Sequence, residues 1–174
     1  MTTRINIDIV SDAVCPWCFI GKRRLEAALA DAPEDFSLFV GWRPFQLNPD
    51  MPAEGADRKA YLAAKFGGEE RADRMYQSVR EAGTTVGIDF RFDAIKRTPN
   101  TINAHRLIGL AGRAGAQDPV VEGLFRAYFL DGRDIGDRAV LAEIGAAAGL
   151  EAKVLGAYLA GTDDVDRVRN EDAM

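Results

Sequence analysis

The sequence contains only two cysteines and one histidine among its 174 residues, and it has no long apolar run. Two cysteines are too few for the disulfide framework of a small secreted protein. No stretch approaches the roughly 18 apolar residues of a membrane span. Acidic residues outnumber basic ones by 27 to 22, which argues against a partner held through phosphate contacts. We therefore expect a protein that binds neither nucleic acid nor membranes.

What is present is enough for a folded domain. Apolar residues make up 47% of the chain and charged residues 28%, so a core can be buried under a charged surface. At the N-terminus, Asn6 and Asp8 interrupt the first apolar run, where a signal peptide needs an unbroken one. We therefore predict a cytoplasmic protein.

The first 46 residues are predicted to form one structural unit. Residues 5–10 alternate in polarity, which predicts a strand, and Pro16 suits the first turn of a helix. Residues 36–42 are aromatic and β-branched and predict a second strand, which Pro44 closes. A strand–helix–strand order implies a parallel pair with a right-handed crossover.

The predicted helix carries one stripe that we expect to face the sheet. Its members are small or apolar and recur at helical spacing: Cys18, Gly21, Leu25, Ala28, Leu29 and Ala32. The basic run Lys22-Arg23-Arg24 is predicted to be a solvated face.

Residues 47–174 are predicted to form a helical domain with its connecting helix. A loop rich in proline and turn formers occupies residues 46–56, and helical patterns then follow almost without interruption. Ile88–Phe92 alternates and indicates at most a short extended piece, and nothing after residue 92 has strand periodicity. Asp118-Pro119 predicts a cap followed by the first turn of a helix.

The two cysteines are separated by two residues, in the run Cys15-Pro16-Trp17-Cys18, at the predicted strand-to-helix junction. A helix N-terminus stabilises a thiolate and lowers its pKa, so Cys15 is the predicted nucleophile toward a disulfide. Cys18, in the first turn and predicted to be buried, would resolve the mixed disulfide. Pro16 and Trp17 are expected to tune the redox potential and the docking surface, with Trp17 lining a cleft.

Two other interpretations of the cysteine pair remain open. Free cysteines pack as small hydrophobes, although this does not explain a cysteine at a cap followed by proline. A structural zinc ion needs four ligands, and beyond Cys15 and Cys18 the chain offers only His105 of the usual nitrogen and sulfur ligands. Zinc would therefore require a dimer or carboxylate ligands, and we predict no bound metal.

Three segments resemble one known family: residues 8–21 around the cysteine pair, residues 44–50, and residues 99–106. They are similar to the DsbA-like thioredoxin superfamily, and within it to the FrnE-like branch, which is related to 2-hydroxychromene-2-carboxylate isomerases and kappa-class glutathione transferases. The resemblance implies an α/β, thioredoxin-like fold with a large helical insert. It also implies thiol–disulfide oxidoreductase activity, no tightly bound cofactor, and a protein dithiol or disulfide, or glutathione, as partner.

The isomerase and transferase relatives suggest the main alternative function. In them the same site holds glutathione, usually with serine at the position of Cys15, so glutathione is an expected co-substrate and a glutathione-dependent isomerase or transferase is the second candidate. Having both cysteines favours redox chemistry. The resemblance makes Asn48, Asn100 and His105 candidate substrate contacts. An Asx turn, a helix cap and a hydrogen-bonded structural histidine explain these three residues without a ligand.

The sequence departs from the family pattern after the helical insert. The family continues into a strand preceded by a cis-proline, two antiparallel strands and a final helix. Here Pro119 is the last proline, and residues 120–174 have helical patterns throughout. We therefore expect the second half of the thioredoxin domain to be missing from this sequence through truncation, or to be supplied by a partner. The open sheet edge is expected to promote self-association, including a homodimer.

Overall fold

The computed structural model describes residues 3–173, which form a small parallel sheet and a larger helical region. The strands are β1 (Thr3–Ser11), β2 (Phe36–Pro44), β3 (Ala56–Asp57) and β4 (Arg97–Thr98). The helices are α1 (Pro16–Ala30), α2 (Arg58–Phe66), α3 (Glu69–Thr84), α4 (Ile102–Arg113), α5 (Gln117–Phe129), α6 (Arg138–Ala147), α7 (Ala152–Ala160) and α8 (Val165–Asp172), with a short 3₁₀ turn at Phe92–Ala94. No helix within residues 3–173 is both long and apolar enough to cross a bilayer.

The predicted order of strand, helix and strand, with the two strands parallel, is confirmed. Strands β1 and β2 pair in parallel, with Ile5 opposite Leu38 and Ile9 opposite Trp42, and α1 connects them. Because side chains alternate along a strand, Ile9 and Trp42 share one face. Trp42 is buried on that face, and its ring packs edge to face with the ring of Phe125 in α5, with 6.4 Å between the ring centroids. The sheet is thereby attached to the helical region.

The buried face of α1 differs from the predicted stripe. Phe19, Ile20 and Lys22 are buried, whereas Gly21 and Ala28 are exposed and Cys18 is only half-buried. The cause is the aromatic side chain of Phe19, which stacks on Phe125 with 5.1 Å between ring centroids. Burying a large aromatic ring outweighs the pattern of small residues on which the prediction rested.

The prediction of a solvated basic run is wrong for Lys22. Its side chain is buried and forms ion pairs with Glu26 in α1 and with Asp118 and Glu122 in α5, the last two at 3.2 and 3.3 Å. Arg23 also pairs with Glu122. A buried cation needs anionic partners, and Lys22 finds two of them in α5. These ion pairs therefore connect the cysteine-bearing helix to α5.

One short strand pair differs from the sequence predictions. Strand periodicity is not visible after residue 92, yet Arg97–Thr98 pairs antiparallel with Ala56–Asp57. Two residues are too few to show a period of two. Ile88–Phe92 is not a strand, and its aromatic side chains are buried instead, with the Phe90 and Phe129 rings 5.4 Å apart.

Helix α5 begins earlier than predicted, at Gln117 rather than after Asp118. Proline is tolerated throughout a first turn, because the N–H groups there have no partner within the helix. The Gln117 side chain explains the earlier start: it accepts from the Trp42 N–H at 2.8 Å and donates to the Trp42 carbonyl at 3.1 Å. This pair of bonds fixes α5 against β2.

Candidate active site

The strand-to-helix junction positions the two cysteines. Strand β1 ends at Ser11, the Cys15 N–H donates to the Asp12 carbonyl at 3.0 Å, and α1 begins at Pro16. Cys15 is therefore the N-cap, with extended backbone (φ −93°, ψ 109°) and no side-chain cap bond. Cys18 lies one turn later, and its N–H donates to the Cys15 carbonyl at 3.1 Å. Both cysteines are free thiols.

The surroundings of Cys15 favour its thiolate. A hydrogen bond from the Cys18 thiol is the largest influence, followed among the favourable ones by the backbone N–H groups of Cys18 and Trp17, and together they lower the pKa of Cys15 from 9.0 to about 7. Partial burial and the nearby negative charge of Asp12 oppose this shift. The backbone N–H groups of the first helical turn therefore act here as expected from their position.

Cys18 has the opposite character. Its hydrogen bond to Cys15, partial burial and the negative charge of Cys15 all raise the pKa of the Cys18 thiol. When the pair carries one negative charge, that charge lies on Cys15 and the proton on Cys18. Two thiols with such different proton affinities can take different roles in disulfide exchange.

A buried acid and the single histidine lie behind the cysteines. Asp12 is 1% exposed, and its Oδ2 accepts a hydrogen bond from the Leu47 N–H at 2.8 Å. The His105 Nε2 lies 3.3 Å from Asp12 Oδ1 and 3.0 Å from the Phe45 carbonyl oxygen. These contacts join the loop before Cys15 to the loop after β2 and to α4.

A cavity of about 200 Å³ opens beside Cys15. The cysteine, Pro16 and Trp17 form part of its wall, and the Trp17 side chain is half-exposed. The other lining residues come from the loop before α1, the loop after β2, α2, α3, β4 and α5: Val14, Leu47, Asn48, Arg58, Tyr61, Leu62, Lys65, Phe66, Met75, Tyr76, Thr98 and Tyr128. The cavity is therefore bounded by both the sheet region and the helical region.

The predicted site residues fall into two groups. Pro16, Trp17 and Asn48 lie with Cys15 at the cavity, and Asn48 Oδ1 accepts hydrogen bonds from the Tyr61 hydroxyl and, at 3.1 Å, from Lys65. Asn100 and His105 are not among the residues that line it. Asn100 instead donates to the Met51 carbonyl at 2.6 Å and accepts from the Ile102 N–H at 3.0 Å, which supports the loop and the start of α4.

Sequence reasoning missed three features of this site: the buried Asp12, and the cations Arg58 and Lys65 in the cavity wall. The spacing of the two cations is a signal that the sequence offers. Arg58 and Lys65 both belong to α2 and are seven residues apart, which places them on the same face of the helix. A second signal was the position of Asp12 at the end of a strand, three residues before Cys15. Among residues 3–173 no group of three or more histidine, cysteine, aspartate or glutamate side chains is arranged to hold a metal ion.

Comparisons with known proteins find similar sequences and similar folds. Residues 6–174 match the family model of the DSBA-like thioredoxin domain. The uncharacterized protein YwbO of Bacillus subtilis is 26% identical over 148 residues, which cover 84% of this chain and 68% of that protein. A probable DsbA oxidoreductase from Streptomyces coelicolor is 31% identical with a TM-score of 0.86, covering 97% of this chain and 73% of that one. The cytosolic disulfide reductase DsbM from Pseudomonas aeruginosa, solved with GSH, is similar in fold, with 20% identity, a TM-score of 0.66 and coverage of 97% and 76%.

Proposed function

This chain belongs to the DSBA-like thioredoxin domain family, and from that premise we propose that it is a thiol–disulfide oxidoreductase. The observation that carries the proposal is the cysteine pair at the start of α1, where the pKa of Cys15 is lowered to about 7 and that of Cys18 is raised. A thiolate available near neutral pH is the species that attacks a disulfide. The similarity to the probable DsbA oxidoreductase from Streptomyces coelicolor supports the same class of activity.

In the first step, the Cys15 thiolate attacks one sulfur of the substrate disulfide. The substrate S–S bond breaks, a mixed disulfide forms on Cys15, and the other substrate sulfur leaves as a thiolate that takes a proton from water. In the second step, Cys18 loses its proton and attacks the Cys15 sulfur. The substrate leaves as a dithiol, or as two thiols, and the protein holds a Cys15–Cys18 disulfide, so two electrons have moved from protein to substrate.

The contact between the two thiols also times the second step. The hydrogen bond to Cys15 is the largest reason that the pKa of Cys18 is raised, followed by burial and by the negative charge of Cys15. The two influences of Cys15 end when it becomes part of a neutral mixed disulfide, so the pKa of Cys18 falls at the stage when its thiolate is needed. A dithiol from outside then returns the pair to the reduced state, and in the reverse direction the pair oxidises a substrate dithiol.

Trp17, Pro16 and Asn48 are the proposed substrate contacts. The half-exposed Trp17 ring lies at the edge of the cavity and offers a flat apolar surface next to the reactive sulfur. A cytosolic site of action remains a prediction, in line with the described location of DsbM.

The test follows dithiothreitol-driven reduction of bis(2-hydroxyethyl) disulfide, a neutral substrate, by three proteins. The unsubstituted protein should turn over. Reduced Cys18→Ser, freed of dithiothreitol, should form one equivalent of a stable mixed disulfide on Cys15. Cys15→Ser should form no such adduct and should not turn over with dithiothreitol present. Turnover by Cys15→Ser at the rate of the unsubstituted protein would overturn the proposal.

A further inference from the structure

The Asp12 carboxylate is buried, and hydrogen bonds satisfy only half of it. Its side chain is 1% exposed, and Oδ2 accepts a hydrogen bond from the Leu47 N–H at 2.8 Å. The other oxygen, Oδ1, is also buried and accepts no hydrogen bond of acceptable geometry among the described residues. Burying a carboxylate is costly unless it is paired, so the orphaned oxygen calls for an explanation.

His105 is the side chain placed to offset this charge. No lysine or arginine within residues 3–173 forms an ion pair with Asp12, whereas the His105 Nε2 lies 3.3 Å from Asp12 Oδ1. The same nitrogen lies 3.0 Å from the Phe45 carbonyl oxygen. Both neighbouring oxygens are acceptors, so Nε2 carries a hydrogen. The positive end of that N–H bond therefore lies close to the orphaned carboxylate oxygen.

His105 is separated from the cavity beside Cys15. Its ring is 3% exposed, and it borders a second cavity, of about 330 Å³, that none of Asp12, Cys15 and Cys18 lines. The charged residues around that second cavity come from β2, α4 and α8: Arg43, Arg113, Arg167 and Glu171. His105 thus lies behind Asp12, on the side away from the substrate, and its contact with the cysteine site runs through that carboxylate.

Asp12 in turn acts on both cysteines. The hydrogen bond between the two thiols is the main influence on them, lowering the pKa of Cys15 and raising that of Cys18, and the negative charge of Asp12 raises both values. The Asp12 carbonyl also accepts from the Cys15 N–H at 3.0 Å. A group that holds the Asp12 carboxylate and offsets its charge therefore affects how readily Cys15 ionises.

We propose that His105 is a positioning residue for the cysteine pair, which holds the Asp12 carboxylate in place and offsets part of its charge on Cys15. Without the Nε2–H, more of that charge would act on Cys15 and disfavour its thiolate. Linkage makes the coupling reciprocal, so ionisation of Cys15 must also change the surroundings of His105. This inference deepens the proposed function and rests on the Cys15 thiolate, but it needs no substrate.

The first experiment compares His105→Leu with His105→Gln. Glutamine keeps an N–H donor near the position of Nε2, and leucine removes it. In His105→Leu the midpoint of the pH profile for alkylation of Cys15 should rise by about half a unit, and in His105→Gln it should stay in place. In the Asp12→Asn background, where the charge is absent, His105→Leu should cause no further shift.

The control for this comparison is Arg113→Gln. It removes a cation from the same helix, where Arg113 is half-exposed and pairs with Asp164 at 2.8 Å, so the midpoint should not change. A histidine with a purely structural role would leave the midpoint in place in every background. An unchanged or lower midpoint in His105→Leu, or a shift that persists in the Asp12→Asn background, overturns the inference.

A second measurement needs no substitution of His105 and covers the case in which its variants do not fold. His105 is the only histidine in the chain, so a tag-free protein gives one set of imidazole NMR signals. In the reduced protein these signals should show an inflection near pH 7, where Cys15 ionises, that disappears in Cys15→Ser and shrinks in Asp12→Asn. No inflection, or the same one in Cys15→Ser, overturns the inference. Loss of turnover beside a normal inflection would contradict the proposed function alone.

Discussion

Replacing Cys18 by alanine should raise the pKa of Cys15, whereas replacing it by serine should not. The hydrogen bond from Cys18 is the largest single reason that the pKa of Cys15 is lowered from 9.0 to about 7. Serine keeps an O–H donor at that position and alanine removes it. Because both variants lack the second thiol, the comparison isolates the donor.

The size of the effect can be worked out. A hydrogen bond to a charged group is worth about 1.5–3 kcal/mol, and one pKa unit corresponds to about 1.4 kcal/mol. Cys15 is only half-buried, so water replaces part of the lost donor and we expect a rise of about one unit. At pH 7 the thiolate fraction then falls from about one half to about one tenth, but the intrinsic nucleophilicity of the more basic thiolate rises about threefold. The net rate falls only about twofold.

The assay is therefore the pH dependence of alkylation rather than the rate at one pH. The rate of iodoacetamide reaction with Cys15 rises as pH increases through the pKa, and its midpoint is read from the full profile. Cys18→Ser should have a midpoint near 7, and Cys18→Ala one about a unit higher. Identical midpoints would refute the assignment of the donor to Cys18.

Two further predictions concern charge and backbone geometry. Asp12→Asn removes a negative charge that raises the pKa of Cys15, so the alkylation midpoint should move to lower pH; an unchanged or higher midpoint contradicts this. Gly132→Ala should lower the free energy of unfolding by about 2–3 kcal/mol, since φ is +68° and a Cβ would lie 2.7 Å from the backbone of Ala94. Gly115→Ala, at φ +70° in open space, should cost about 1 kcal/mol; equal losses in urea denaturation would contradict the steric argument.

The sequence predictions succeeded where the structure depends on neighbouring residues. The fold class and the family resemblance are confirmed, as are the parallel strand pair and the N-cap position of Cys15. The junction is encoded within a few residues: a strand ends at Ser11, and Pro16 suits the first turn of a helix. The roles of Asn48, Asn100 and His105 toward a substrate stay predictions.

The predictions failed where distant residues decide the outcome. The rotation of α1 is set by the stacking of Phe19 on Phe125, which no pattern within the helix reveals. Lys22 is buried because two of the carboxylates that surround it belong to α5, and the pattern within α1 does not reveal them. The burial of Arg58, at the start of α2, likewise depends on aromatic rings from other elements. Tertiary contacts of this kind override local periodicity.

The central claim is that Cys15 is the nucleophile and Cys18 the protonated partner. Its most direct test is to treat the reduced, unsubstituted protein at neutral pH with less than one equivalent of iodoacetamide and to locate the label by fragmentation mass spectrometry of the peptide that contains both cysteines. The lowered pKa of Cys15 and the raised pKa of Cys18 predict that the label lies on Cys15. A label found first on Cys18, or equally on both, would contradict the account.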